Sequence, residues 1–429
     1  MTNCGENEDS GTGVTGPGDI RKGGENMSNL TDTKKTNMEK AGLVCFYLGL
    51  LVEILIVILD KSSWINPAEG QLFRLTFLLF ALKVCMTKYS LREWAAILLA
   101  GVIAAACYFG SGRDEAVRVV VFVVSMKGVD HKKAMKTVFW GTIAGMLVLA
   151  GLAFAGILGE VYDATAGYGV KEGTTRLCLG VGNANALACM VWALMTLGIY
   201  LYHEAMKLWH YAFLLVLTVL TYLATVTRTA LLVMAATVLL AFVMQYGKKI
   251  RTAKWVYFGG IAAILGGVIF SVYAAYVSDW YCYMPDWVGK LDHVLTGRIV
   301  GIYAFENGGG VLENWKLFGD PTYIEYFDMG YVRLFFWYGI VPGICAVLML
   351  CLLIWQCRKQ QDYMGFVLIL SFGVYTVIEA HAVSVYIARN YVLLLLGAYW
   401  PYMLWTGKKK GPEREAYWWR FRALFGASH

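Results

Sequence analysis

The chain has 429 residues, of which 58% are hydrophobic and 16% charged, with a mean hydropathy of +0.55 and a formal net charge of +7. Soluble domains carry about a quarter charged residues, and here apolar stretches recur near the roughly 20 residues that a helix needs to cross a bilayer core. These values exclude a secreted disulfide scaffold, a nucleic-acid-binding module and an ordinary cytosolic enzyme, and they point to an all-α integral membrane protein.

Residues 1–40 are polar, rich in Gly, Asn, Thr and Lys, and hold no apolar stretch of the signal-peptide kind. They read as a disordered cytoplasmic tail. A polytopic domain follows over 41–405, with apolar segments at 41–59, 72–87, 93–110, 115–127, 135–157, 183–202, 209–225, 228–246, 255–277, 330–355, 363–380 and 385–405. Counted as about twelve spans from a cytoplasmic N-terminus, they put Lys88 and Arg92, the group Lys127, Lys132, Lys133 and Lys136, Lys207, the group Lys248, Lys249, Arg251 and Lys254, and Arg358 with Lys359 on the inner side. That is the side on which short loops collect Lys and Arg. Residues 406–429 form a basic cytoplasmic tail, whose run from Tyr417 to Arg422 suits the inner leaflet surface. The same count places both termini inside.

Two outer segments are long enough to hold chemistry, 158–182 and the large loop 278–329 between spans nine and ten. The second holds Trp280, Tyr281, Tyr283, Trp287, Tyr303, Trp315, Tyr323 and Tyr326. These aromatic residues form either an interfacial belt or a surface on which sugar rings stack. The ten cysteines are scattered singly, without zinc-type pairing, and a disulfide between Cys178 and Cys282 is conceivable.

Arginines on the outer side need a reason, because the positive-inside rule leaves few there. Arg228 follows Thr227 at the tight turn between spans seven and eight, and an unpaired cation at that depth requires an anion or a carboxylate. It is either a snorkelling or structurally paired side chain, or a phosphate ligand for which a five-donor guanidinium is suited. Arg176 opens a Gly- and Asn-containing stretch that includes Asn185, and Arg298 follows Thr296-Gly297 in the large loop. Asp328 precedes Gly330, Tyr331 and Arg333 at the start of span ten, as a helix cap or a general base. Glu379, His381, Arg389 and Asn390 make another outer polar group. Glu53 is expected to pair with Arg74 inside the helical domain. There is no P-loop, no HExxH, no EF-hand series and no acidic pair in the first outer loop, so any phosphate handling falls to arginines.

The order of these features resembles the O-antigen ligase and polysaccharide polymerase superfamily, in particular the Wzy-type polymerases of Gram-positive capsule and exopolysaccharide clusters. The likeness covers about 41–405. It rests on twelve spans, the large loop after the ninth, Thr225-Val226-Thr227-Arg228-Thr229, Arg176 with Gly180 and Asn185, and Gly297-Arg298. It also rests on Leu317-Phe318-Gly319, Asp328 with Tyr331, Tyr338-Gly339-Ile340-Val341-Pro342-Gly343, and Glu379 followed by Asn390. The chain departs from the family pattern where Met329 follows Asp328 and where Ala184 precedes Asn185.

The resemblance implies a glycosyltransferase of the outer face of the bacterial plasma membrane. It would polymerise oligosaccharide repeat units carried on undecaprenyl pyrophosphate, with no metal and no cofactor. Asp328, Arg228, Arg298 and Glu379 would be catalytic, Asp328 as base with Glu379 in reserve. Arg176, Asn185, Thr227, Arg333, His381 and Asn390 would bind substrate. Its partners would be the lipid-linked oligosaccharide, the bilayer, a chain-length regulator and a flippase, with no nucleic acid. Two alternatives stand beside this: ligation of a finished glycan to another acceptor, and transport of the lipid-linked unit by a flippase.

Overall fold

The computed structural model describes residues 18–163, 173–278, 284–303, 309–322 and 327–404. Among these the only extended structure is a ribbon of two short antiparallel strands, β1 (Tyr162–Asp163) and β2 (Arg176–Leu177); the remaining regular elements are helices. Eight helices are long and apolar enough to cross a membrane. The apolar part of α1 (Gly18–Lys61) is one; the others are α3 (Leu91–Ser111), α5 (His131–Phe154), α6 (Ala184–Tyr202), α7 (Leu208–Thr225), α8 (Arg228–Tyr246), α10 (Lys254–Ser278) and α14 (Ile340–Gln360). Between them lie the shorter α2 (Glu69–Cys85), α4 (Glu115–Ser125), α9 (Lys248–Thr252), α11 (Asp286–Val294), α12 (Val300–Tyr303), α13 (Gly330–Tyr338), α15 (Tyr363–Tyr375) and α16 (Tyr391–Met403). Many large apolar side chains face outward on these helices, Leu98, Val102, Phe109, Leu147, Leu223 and Ile269 among them, as a lipid-facing surface requires.

The expected tail 1–40 is helical from Gly18 onward, as an extension of α1. Extending an existing helix needs no new nucleus, so polar residues can continue one that the apolar segment has started.

The apolar segment 330–355 is two helices instead of one span. Gly339, at φ +100°, separates α13 from α14, and a Cβ there would meet the backbone of Leu317, Phe318 and Gly319. The freed amides of Ile340 and Val341 bond to the carbonyls of Lys316 and Leu317 at 2.9 and 3.0 Å, which replaces the lost helical partners.

The turns gather at two opposite ends. At one end the Tyr89 hydroxyl reaches Val124 O at 3.0 Å, Lys127 Nζ pairs with Glu93 at 2.9 Å, and Tyr399 and Tyr200 both donate to Asp362, at 2.8 and 3.4 Å. Gln245 donates to His203 O and accepts from the Tyr363 hydroxyl at that same end. The other end holds the α1–α2, α3–α4 and α7–α8 connections, the β ribbon and the residues between α10 and α13.

Between α2 and its neighbours the ionisable residues differ from expectation. Glu53 pairs with Arg118 of α4 at 3.3 Å and accepts the Thr76 hydroxyl at 2.6 Å, while Arg74 is exposed and bonds Gln71. Arg118 also lies 3.6 Å from the ring centroid of Phe73, so its charge meets a carboxylate and an aromatic face together.

Candidate functional site

Helix lengths locate the site. With thirteen residues, α15 rises roughly 20 Å, about 10 Å less than the twenty-one-residue α14 to which it is joined by a tight turn. Residues 376–390 fill the depth that α15 leaves. Non-helical backbone at such depth is tolerated only where it is enclosed by protein or lines a wet cavity. Here it does both.

Each wall is built locally. Gly330 opens α13 against the backbone of Thr376 and Glu379, where a Cβ would stand 2.7 and 2.9 Å from their carbonyl oxygens. That close approach brings Asp328 beside Glu379. Thr296 and Gly297, both left-handed at φ +61° and +77°, reverse the chain after α11. The Asp292 carboxylate takes the Ile299 amide at 2.7 Å and fixes the turn, which aims Arg298 inward.

Arg298 is then held on three sides. Its guanidinium bonds Glu379 Oε1 at 2.5 Å, the Ile378 carbonyl at 2.5 Å and Asp328 Oδ2 at 3.1 Å. The Arg298 side chain is 5% exposed and that of Glu379 12%, whereas that of Asp328 is 53% exposed. The two carboxylates on one guanidinium therefore differ in access, and Asp328 is the one an incoming group can reach.

A cavity of about 60 Å³ opens beside them, lined by Cys189, Asp328, Arg333, Glu379, Ala380, His381 and Arg389. Arg333 is buried, its guanidinium 4.4 Å from the ring centroid of Trp337, which Arg113 approaches to 4.0 Å. Arg389 closes the opposite wall from a 3-10 turn at Ile387–Arg389. Its Nη2 donates to His381 Nδ1 at 3.2 Å while His381 Nε2 meets the Arg389 carbonyl at 3.1 Å. A ring nitrogen that accepts from a guanidinium carries no proton, so this is the neutral imidazole with its hydrogen on Nε2. Two guanidiniums and two carboxylates thus line the cavity with a neutral histidine, and the Arg298 guanidinium pairs with both carboxylates.

The structure brings together six residues that the sequence singles out: Arg298, Asp328, Arg333, Glu379, His381 and Arg389. Asp328 does not cap α13, since Met329 occupies the cap position. Asn390 lies next to the group, but its amide closes the loop on the Ala382 carbonyl at 2.8 Å and its oxygen caps α16 at Val392. Thr227 and Asn185 are joined to each other, hydroxyl to amide oxygen at 3.0 Å. Asn185 stands one turn from Cys189 on α6, but neither it nor the Thr227–Arg228 turn lines the cavity. Arg228 is exposed and forms no ion pair with the described residues.

Arg176 lies elsewhere. It is paired with Asp163 at 2.7 Å across the β ribbon, and both are buried. Asn183, rather than Asn185, caps α6 through the Ala186 amide. Asp60, which stands 3.8 Å from Arg389, and Cys189, which lines the cavity, are not singled out by the sequence. Trp280, Tyr281, Tyr283, Tyr323, Tyr326 and Cys282 of the large loop, and the 417–422 run, lie outside the described residues. Of the loop aromatics that are described, Trp315 is buried and stacks on Phe335 at 5.2 Å, which is packing, and Trp287 stacks on Tyr273 at 5.8 Å.

Among the described residues no group of three or more His, Cys, Asp or Glu is placed to hold a metal ion. No family model, curated protein or solved structure matches the chain. What the geometry defines is a helical fold, with membrane-spanning lengths, that encloses an arginine-rich cavity with one accessible carboxylate.

Proposed function

We propose that the protein is a polysaccharide polymerase of the Wzy type, with about twelve spans and both termini cytoplasmic. It joins undecaprenyl-pyrophosphate-linked repeat units on the outer face of a bacterial plasma membrane. The observation that carries this reading is the Asp328–Arg298–Glu379 group beside a cavity that Arg333 and Arg389 also line. Glycosyl transfer from a lipid pyrophosphate needs a base near the attacking hydroxyl and cations near the departing phosphate, and these are the groups assembled there.

In the proposed step a sugar hydroxyl of the acceptor unit gives its proton to the Asp328 carboxylate. Its oxygen bonds to the anomeric carbon of the donor as the bond from that carbon to the pyrophosphate oxygen breaks. The electron pair leaves with undecaprenyl pyrophosphate, whose growing charge the guanidiniums stabilise. Glu379, mostly buried against Arg298, holds that cation in place, so Asp328 is the base and Glu379 is a positioning residue. Transfer of a finished glycan to a different acceptor would use the same groups and differ only in what enters the acceptor side.

A second reading has one observation in its favour. The break at Gly339 and the unwound, charged segment 376–390 are also how transporters build a site within their spans, which fits flipping of the intact lipid-linked unit. Incubation of purified protein with its lipid-linked repeat unit in EDTA separates the two. A product ladder spaced by one repeat supports the polymerase, and an unchanged substrate removes it.

A further inference from the structure

We infer that Arg389, rather than Arg298, is the guanidinium that meets the donor phosphate, and that His381 is the neutral side chain that positions it. The inference rests on the reading above and names the residues behind one part of it.

Two arginines at the site differ in how their charge is answered. Arg298 has its charge answered by two carboxylates, at 2.5 and 3.1 Å, and by a carbonyl. Little of that charge is left for a ligand. Arg389 is largely enclosed, with 13% of its side chain exposed, but its only carboxylate among the described residues is Asp60 at 3.8 Å. Asp60 already pairs with Lys61 at 2.6 Å. The Nε of each of the two arginines is buried without a hydrogen-bond partner among the described residues, but only Arg389 lines the cavity, together with Arg333. A buried cation whose counter-charge is distant and shared is costly unless an anion completes it.

The partner at 3.2 Å is a neutral imidazole, which orients the guanidinium without spending its charge. Reciprocal contacts of both ring nitrogens with one arginine, Nδ1 to the guanidinium and Nε2 to the carbonyl, fix the side chain relative to its own backbone. The ring is in turn wedged between Trp192 and Phe372, with centroids at 5.4 and 5.9 Å. The occupant that fits is a phosphate or pyrophosphate oxyanion small enough for the cavity, bound by planar donors.

The test uses the full chain in nanodiscs and inorganic pyrophosphate as the probe, with binding read by calorimetry and folding by the melting transition of each variant. Arg389→Gln is expected to weaken pyrophosphate by about tenfold or more, the loss of one charge-assisted contact, and Arg389→Lys to weaken it less. His381→Leu is expected to weaken it comparably. In the double variant the two losses do not add, because His381 acts through Arg389. Asp60→Asn removes the competing carboxylate and is expected to tighten binding, a gain that misfolding cannot imitate. Wild-type affinity in a folded Arg389→Gln protein, or additive losses in the double variant, would overturn the assignment. If the wild-type protein forms the repeat-unit ladder yet binds no pyrophosphate, the assignment fails and the polymerase reading stands. If pyrophosphate binds with the expected pattern but no ladder forms, the assignment stands and the polymerase reading fails.

Discussion

Arg298 and Glu379, eighty-one residues apart in the chain, meet at 2.5 Å. The contact ties the segment after α11 to the end of α15, and both side chains are largely buried. Breaking a buried pair by neutralising one member leaves the other charge unanswered, which costs about 3–5 kcal/mol. Glu379→Gln is therefore expected to lower stability by roughly that amount, reduced by what Asp328 still supplies, and to lower activity with it. Chemical denaturation in detergent micelles checks the first part and turnover per folded molecule the second.

Asp328 should behave differently. With 53% of its side chain exposed, it adds little to stability, and Asp328→Asn is expected to change unfolding by less than about 1 kcal/mol. Its effect falls on the rate, where loss of a positioned base typically costs 10²–10⁴-fold, or about that range here. Measured turnover near the wild-type value would take the base role away from Asp328.

Much of this site is legible in the sequence because charged residues stand out against apolar surroundings. Arg298, Asp328, Arg333, Glu379 and His381 each draw notice by position alone, yet nothing in the sequence says that they share one site. The joining contacts depend on Gly330 abutting the backbone of residue 379 and on the left-handed pair at 296–297. The partner of Glu53 is similarly hidden: spacing gives a face on each helix but not which helix it meets, and Arg118 of α4 takes the place expected of Arg74. Tyr338-Gly339-Ile340 sits in an unbroken apolar run, so hydropathy reads a single span where the backbone turns. The two-residue strands that capture Arg176 are too short to leave any periodic signal.

Arg176 and Arg228 should separate structure from catalysis. Arg176→Ala removes the guanidinium that faces the buried Asp163 carboxylate, with an expected loss of at most about 3–5 kcal/mol of stability. Adding Asp163→Leu should recover part of that loss. Arg228→Ala is expected to stay within about 0.5 kcal/mol of wild type in stability, as for exposed positions generally. It should lower turnover by about 10²-fold if Arg228 contacts the leaving group. The pair of unfolding curves and the pair of rates decide it.

The measurement that bears most directly on the account is the fate of the lipid carrier. Purified protein in proteoliposomes is given a radiolabelled undecaprenyl-pyrophosphate-linked repeat unit in EDTA, and free undecaprenyl pyrophosphate is measured alongside the glycan ladder. The account predicts one carrier released for each new bond in the wild type, and release abolished or greatly slowed in Asp328→Asn. Intact substrate recovered on the opposite side of the vesicle, with no carrier released, would contradict it and establish a transporter.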